Sequence, residues 1–498
     1  MRFAGATLAP ALVDHHAHLF NIGVTLLNDR DHGRLFLDLG DARSLADVAA
    51  RVRARAAMLA PGAWILGAGW SQAAWGAGAL PSRFSLDAAA PDNPVYLARG
   101  DGHAGWVNAR ALARAGIDRN TANPTGGAIL RRADGSPSGI LLERANELVA
   151  PLVPAPADSD IVAAWRLGAE ALAERGVARV YDAGVLPLPG VVALNAPFAH
   201  YYDLLRRADS VAPLPIAVNL MVPAPSALAD SLLADPQRGR AVSPRIHVTH
   251  LKLFADGALG SRGAALTHPY ADDRTTSGVP RMTTAEIAAL AGAALDAGLG
   301  VATHAIGDEA VRRTLDAYAE VLRARPGVAP GRLRIEHFSY AREQDFARAV
   351  KMGVVFSIQG NFNAGPDEHP TLGEARAGAA NDARVYAWRR LVGMGARIAE
   401  GSDYFTRPAG ALAGFMAAIE RRHAAAEGLP PAAARRLAYR LASTWYGPSG
   451  TAEPPDLRNG ESANVVVLSA NPLTAPLGEV GATAVLATVC AGRLTFAR

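Results

Sequence analysis

Short apolar runs recur along the latter two-thirds of the chain, each ending in a glycine or a polar cluster. They read VARVYDAG (177–184), PIAVNLMV (215–222), IHVTHLKLFADG (246–257), GVATHAIGD (300–308), RLRIEHFS (332–339), GVVFSIQG (353–360) and ARIAEGSD (396–403). Between most of them lie segments with apolar residues at helical spacing, such as 284–297 and 308–323, and another such segment, 159–175, precedes the first. The run Leu12–His18 brings the strand count to eight. Strands alternating with helices predict a parallel sheet. Eight such units predict an α/β fold of the (β/α)8 TIM-like barrel type, whose active site lies at the C-terminal strand ends.

Two regions depart from this rhythm. Residues 20–155 mix a helix capped by Ser44 with the strand-like runs WILGAGW (64–70) and PVYLARGDGHAGWVN (94–108), and are expected to form an inserted α+β segment covering the active site. From about Leu457 onward, NVVVLSANPL and AVLATVCAGRLTFAR are rich in β-branched residues and predict a small separate sheet.

Charge usage draws attention to one side chain. Only two of the 50 basic residues are lysines, Lys252 and Lys351. Lys351 falls near a predicted helix end, where a solvated charge is ordinary. Lys252 lies among Val248, Leu251, Leu253 and Phe254, where an ammonium is costly unless paired, neutralised or metal-bound. Arginine cannot replace a primary amine that must lose its proton. Lys252 is therefore a Schiff-base lysine, a general base, or a carboxylated lysine that bridges metal ions.

The other polar groups narrow that choice. His16 and His18 are one residue apart, so on a strand both imidazoles point to one face, while His15 faces the other way. His16 and His18, Lys252, His304, His337 and Asp403 all fall at or near the ends of predicted strands, five different ones. Four imidazoles with a carboxylate suit a catalytic divalent cation, Zn²⁺ first, as one or two ions per chain. The expected assignment puts His16, His18 and Asp403 on one ion and His304 and His337 on the second, with Lys252 bridging. Hydroxide formed from bound water would attack a polarised carbonyl, with Asp403 as general acid/base.

Several function classes lose support. The net charge is only +4 and like charges do not cluster, which speaks against nucleic-acid and membrane-surface binding. No uncharged apolar run reaches membrane-span length. The single Cys490 and the lack of a clean leader pattern predict a reducing, cytoplasmic setting. The expected partner is a small-molecule substrate, and a homodimer is left open.

The motifs VDHHAHL, WILGAGW, RGDGHAGWVN, GGAILRRADGSPSGILLE, LKLFADGALGSRGAAL, THAIGDEAV, RIEHF and GSD, in this order and spacing, resemble the amidohydrolase superfamily of metal-dependent hydrolases, in the family 3 branch that includes N-substituted formamide deformylase. The resemblance spans nearly the whole chain and implies the metal roles given above. It also implies a small β-sandwich, giving the division 1–10 and 455–498 (sandwich), 11–19 and 156–454 (barrel), and 20–155 (insertion). Relatives carry more strand-rich sequence before the histidine pair, so the sandwich is expected to be shortened at its N-terminal side. Asn464 stands where relatives tend to have an acidic residue. His250 shares a strand with Lys252 and reads either as a pocket histidine or as a satisfied core histidine. The implied activity is hydrolysis of a non-peptide C–N bond in an amide, formamide or cyclic amide. Ester or lactone hydrolysis, isomerisation and a Schiff-base lyase using Lys252 are the alternatives. His103, Glu143 and Arg262 are the expected substrate contacts, and Trp70 and Trp75 either wall a pocket or pack a lid.

Overall fold

The computed structural model describes residues 3–72, 75, 80–185, 198–235, 241–363, 371–382, 385, 388–404, 431–446, 452–453, 457 and 463–498. Residues 405–430, inside the expected barrel span, lie outside the described residues.

Eight parallel strands form the central sheet: β1 (Leu12–Ala17), β2 (Val177–Asp182), β3 (Ala217–Pro223), β4 (Ile246–Phe254), β5 (Gly300–Ala305), β6 (Leu333–His337), β7 (Val355–Ile358) and β8 (Arg397–Glu400). They neighbour one another in the order β1 to β8, and the short strand Ala241–Ser243 pairs antiparallel with the edge of β4. Every residue of β1, β5, β6 and β7 is buried, as strands covered on both faces require. Each expected strand is present; seven end one to three residues earlier than expected, where the chain turns toward the mouth, and β3 ends one residue later. The result is the TIM-like α/β fold.

The seam between β8 and β1 closes just beyond β8. The Asp403 N–H donates to the His16 carbonyl at 2.5 Å and the His18 N–H to the Tyr404 carbonyl at 2.9 Å. Gly401 permits this approach, since a Cβ there would lie 2.5 Å from the His16 nitrogen. Helices cover the outside. Leu19–Arg30 packs on Asp158–Ala173, and Gly23 and Gly168 let the two backbones touch. Thr283 and Glu286 form a capping box that starts Thr284–Asp296.

The segment between β1 and β2 folds into a six-stranded sheet in the order Leu37–Asp38, Ile65–Trp70, Val95–Arg99, Ala104–Val107, Pro137–Glu143, Gly127–Arg131. Ser44 caps the helix Leu45–Ala56 by accepting from the Asp47 N–H. Trp70, Trp75 and Trp106 cluster in the core of this sheet; Trp70 donates to the Leu97 carbonyl and Trp75 to the Ala42 carbonyl. The tryptophans are packing residues.

A four-stranded antiparallel sheet joins Thr7–Pro10, Val465–Leu468, Val485–Cys490 and Arg493–Ala497 in that order. Asn464 serves this sheet, its side chain accepting from the Ala491 N–H. Among the described residues, no helix is long and apolar enough to cross a membrane.

Candidate metal centre

One cavity opens at the C-terminal ends of the barrel strands. Its polar lining includes His16, His18, Lys252, His304, His337 and Asp403, so the barrel gathers all six expected donors. Two backbone devices aim three of them. On β1, a register irregularity between Asp14 and Ala17 lets His16 reach the mouth cavity while the adjacent His15 packs on Tyr181. At the ends of β6 and β8 the backbone takes positive φ at His337 (74°), Phe338 (46°) and Asp403 (51°). A non-glycine residue in that region costs about 1–3 kcal/mol and persists only where surrounding contacts enforce it. For Asp403 that contact is the seam hydrogen bond to His16.

The four imidazoles share a pattern. Each lines the cavity and has one ring nitrogen against an oxygen of the surrounding protein. His16 Nδ1 lies 2.5 Å from Glu336 Oε2, His18 Nδ1 2.6 Å from the Gly184 carbonyl, His304 Nε2 3.3 Å from the Gly257 carbonyl, and His337 Nδ1 2.8 Å from Gln359 Oε1. Such outer contacts fix the tautomer and orientation of a ligating histidine. On the inner side, Asp403 Oδ1 is 3.2 Å from His18 Nε2 and 3.5 Å from His16 Nε2, and its Oδ2 is 3.9 Å from His337 Nδ1. Donor atoms of His16, His337 and Asp403 all lie within 4.8 Å of one another. The rings of His304 and His337 are 4.5 Å apart, and Lys252 Nζ is 3.4 Å from His16 Nε2.

Electrostatics favour the ligand forms. Burial lowers His16, with the Lys252 charge adding to it; burial likewise takes His304 well below its ordinary value and His337 down to about 3. Neutral imidazoles are what a cation binds. Burial pushes the Asp403 carboxyl up, but His16, His18 and His337 more than offset this and hold it well below the usual carboxylate range. Burial pulls the Lys252 amine down to about 8, against the opposing charges of Glu336 and Asp403. Buried, oriented, mostly neutral nitrogen donors around one carboxylate fit a divalent cation.

The expected substrate contacts divide. His103 lines the cavity, its ring 5.1 Å from that of His304. Glu143 does not line it; buried behind His103, its Oε2 is 2.9 Å from His103 Nδ1 and 3.2 Å from Arg281 Nη1. Gly257 makes room for it, since a Cβ there would lie 1.7 Å from Glu143 Oε1. Arg262 corrects the expectation: it is not among the lining residues, and its guanidinium pairs with Asp272 at 3.0 Å. A surface-facing loop with a matched carboxylate next to it holds the arginine outside.

Other site residues went unnoticed in the sequence. Arg99 and Asp101, a buried pair at 2.5 Å, line the mouth from the inserted sheet, with Ser71 beside them. Phe254, Leu259, Ile306 and Phe362 form an apolar wall. Glu336 and Gln359 stand behind the histidines. A signal existed for Glu336, since Arg334 and Glu336 put two charges on one face of an otherwise apolar strand. His15 and His250, by contrast, are core histidines. His15 Nε2 meets the Thr444 carbonyl at 2.7 Å and His250 Nδ1 the Thr249 hydroxyl at 2.9 Å, both packed around Tyr181.

The comparisons with known proteins agree with this geometry. Residues 4–496 match the profile of the amidohydrolase family. The chain belongs to that family. It is 32% identical over 422 residues to Protein LONG AFTER FAR-RED 3 of Arabidopsis thaliana, covering 84% of this chain and 69% of that one. It is 25% identical over 517 residues to N-substituted formamide deformylase of Arthrobacter pascens, covering 99% of this chain and 89% of the relative. A metal-dependent hydrolase from Pyrococcus furiosus superposes with a TM-score of 0.65 at 25% identity, over 94% of this chain and 88% of that structure. Family membership makes this chain a hydrolase, and the solved neighbour is a metal-dependent one.

Proposed function

We propose that the chain hydrolyses a non-peptide C–N bond in a small amide, formamide or cyclic amide. The observation that carries the reading is the convergence of His16, His18 and His337 on the Asp403 carboxylate, with His304 beside His337. His16, His18, His304, His337 and Asp403 would hold Zn²⁺, as one or two ions, with carboxylated Lys252 as a shared ligand. When bound, the cation supplies Lewis-acid activation of water and of the scissile carbonyl. The chain's own residues do the rest. Asp403, ionised at neutral pH, accepts the proton of the attacking water and returns it to the leaving nitrogen. His103 lines the cavity beside His304, where it can contact the substrate. The wall of Phe254, Leu259, Ile306 and Phe362 receives an apolar substituent. An amine brought to about 8 by burial is the form of lysine that reacts with carbon dioxide, which supports carboxylation of Lys252. The small charge and single cysteine support a cytoplasmic enzyme acting on a small molecule.

The test is metal analysis of purified protein, followed by a screen of N-substituted formamides, acyl amides and cyclic amides. The reading expects turnover of at least one class, lost on chelation and restored by Zn²⁺. Turnover confined to esters or lactones, or trapping of a carbonyl substrate on Lys252 by borohydride, would replace it.

A further inference from the structure

Behind the site, β6 carries a second arrangement that the hydrolytic reading does not use. Arg334 and Glu336 alternate with Leu333 and Ile335, so both charged side chains enter the barrel interior, where they are 1% and 0% exposed. Arg334 Nε donates to Glu336 Oε1 at 2.9 Å, and Nη2 donates to the His15 carbonyl at 2.9 Å. The other carboxylate oxygen, Oε2, receives His16 Nδ1 at 2.5 Å. The guanidinium face also rests 4.9 Å from the Tyr181 ring centroid. A buried ion pair is expensive, and replacing one by apolar residues is often neutral or stabilising. Its presence beneath one histidine therefore asks for a reason beyond stability.

We propose that Arg334 and Glu336 are a positioning pair for His16: Arg334 locks the Glu336 carboxylate, and Glu336 Oε2 holds His16 as the Nδ1–H tautomer with Nε2 presented to the metal. His16 Nε2 then faces Asp403 and Lys252, at 3.5 and 3.4 Å. His18 and His337 lean on neutral oxygens, and His304 Nε2 lies 3.3 Å from the Gly257 carbonyl and 3.5 Å from Asp256 Oδ1, whereas the carboxylate contact of His16 is direct at 2.5 Å. A carboxylate partner raises ligand basicity more than a neutral acceptor does. Backbone contact of Arg334 with His15 ties the pair to β1 itself. The proposal rests on the metal-binding part of the function proposed above, but not on the bond that is cleaved.

The experiment uses full-length protein, stripped by chelator and titrated with Zn²⁺ alone against a competing indicator. Glu336→Gln should bind Zn²⁺ about 10–100-fold more weakly, the usual effect of losing such an outer partner. The double variant Arg334→Met/Glu336→Gln, which leaves no unpaired buried charge, should show the same loss. In Zn²⁺-loaded wild type, ¹⁵N-histidine spectra should show His16 protonated at Nδ1, with that proton strongly deshielded. Affinity within twofold of wild type in either folded variant, or His16 protonated at Nε2, would overturn the proposal. Weakened Zn²⁺ binding with no amide turned over by wild type would sink the hydrolytic reading and leave the positioning pair standing. Amide turnover with unchanged affinity in the variants would do the reverse.

Discussion

The two ends of the barrel interior hold the same residue type in opposite roles. At the mouth, His16, His18, His304 and His337 each set one nitrogen against a protein oxygen and line a shared cavity with Asp403. At the floor, His15 and His250 are as deeply buried, but they pack around Tyr181 and are not among the residues that line that cavity. His15 and His16 are adjacent in the chain, and His250 is two residues from Lys252. Burial and residue type therefore do not distinguish a candidate ligand from a core histidine; distance from the strand's C-terminal end does.

Substitutions sharpen that contrast. The largest effect is expected at Lys252. Lys252→Arg should fold yet lose nearly all turnover and bound metal, because a guanidinium cannot be carboxylated; full activity in an assay with a responsive amide would remove the bridging role. Asp403→Asn comes next, with kcat falling by about 10²–10⁴, the usual contribution of a general acid/base. If kcat held while only KM rose, Asp403 would be a binding residue. Glu143→Gln should cost about tenfold, the loss of one charge-assisted hydrogen bond to His103, read as a kcat/KM change with metal content unchanged.

The floor should respond in stability, not activity. His15→Asn should lower unfolding free energy by about 1–3 kcal/mol, measured by denaturant titration of the metal-free protein, and leave turnover within about twofold. Acid sensitivity gives a second readout. Burial lowers the His15 pKa from its ordinary 6.5 to about 3. Between those values the unfolded chain binds a proton that the folded chain refuses, so stability falls as pH drops from 6.5 toward 3 and levels off below. One such group contributes a slope of about 1.4 kcal/mol per pH unit. In His15→Asn the slope should be shallower by that amount, and an unchanged slope would mean that His15 is not held neutral.

Much of this was legible from the chain. The eight strands showed themselves because each is a short apolar run with a breaker after it, and six donors marked their C-terminal ends. What stayed hidden depends on long-range partners. Arg334 and Glu336 show as two charges on one face of an apolar strand, but only their meeting with β1, about 320 residues away in sequence, reveals their use. Arg262 looked available because its acidic partner, Asp272, is ten residues on, in a loop with no periodicity. Arg99 and Asp101 could not be placed because the inserted sheet lacks the alternation that located the barrel strands.

The central claim is that the mouth, not the floor, holds a metal ion. Anomalous scattering from crystals of Zn²⁺-loaded protein tests it most directly. The account predicts a peak at the mouth about 2.0–2.2 Å from His16 Nε2 and an Asp403 oxygen, with His337 alongside. No peak there, or one between His15 and His250, would contradict it.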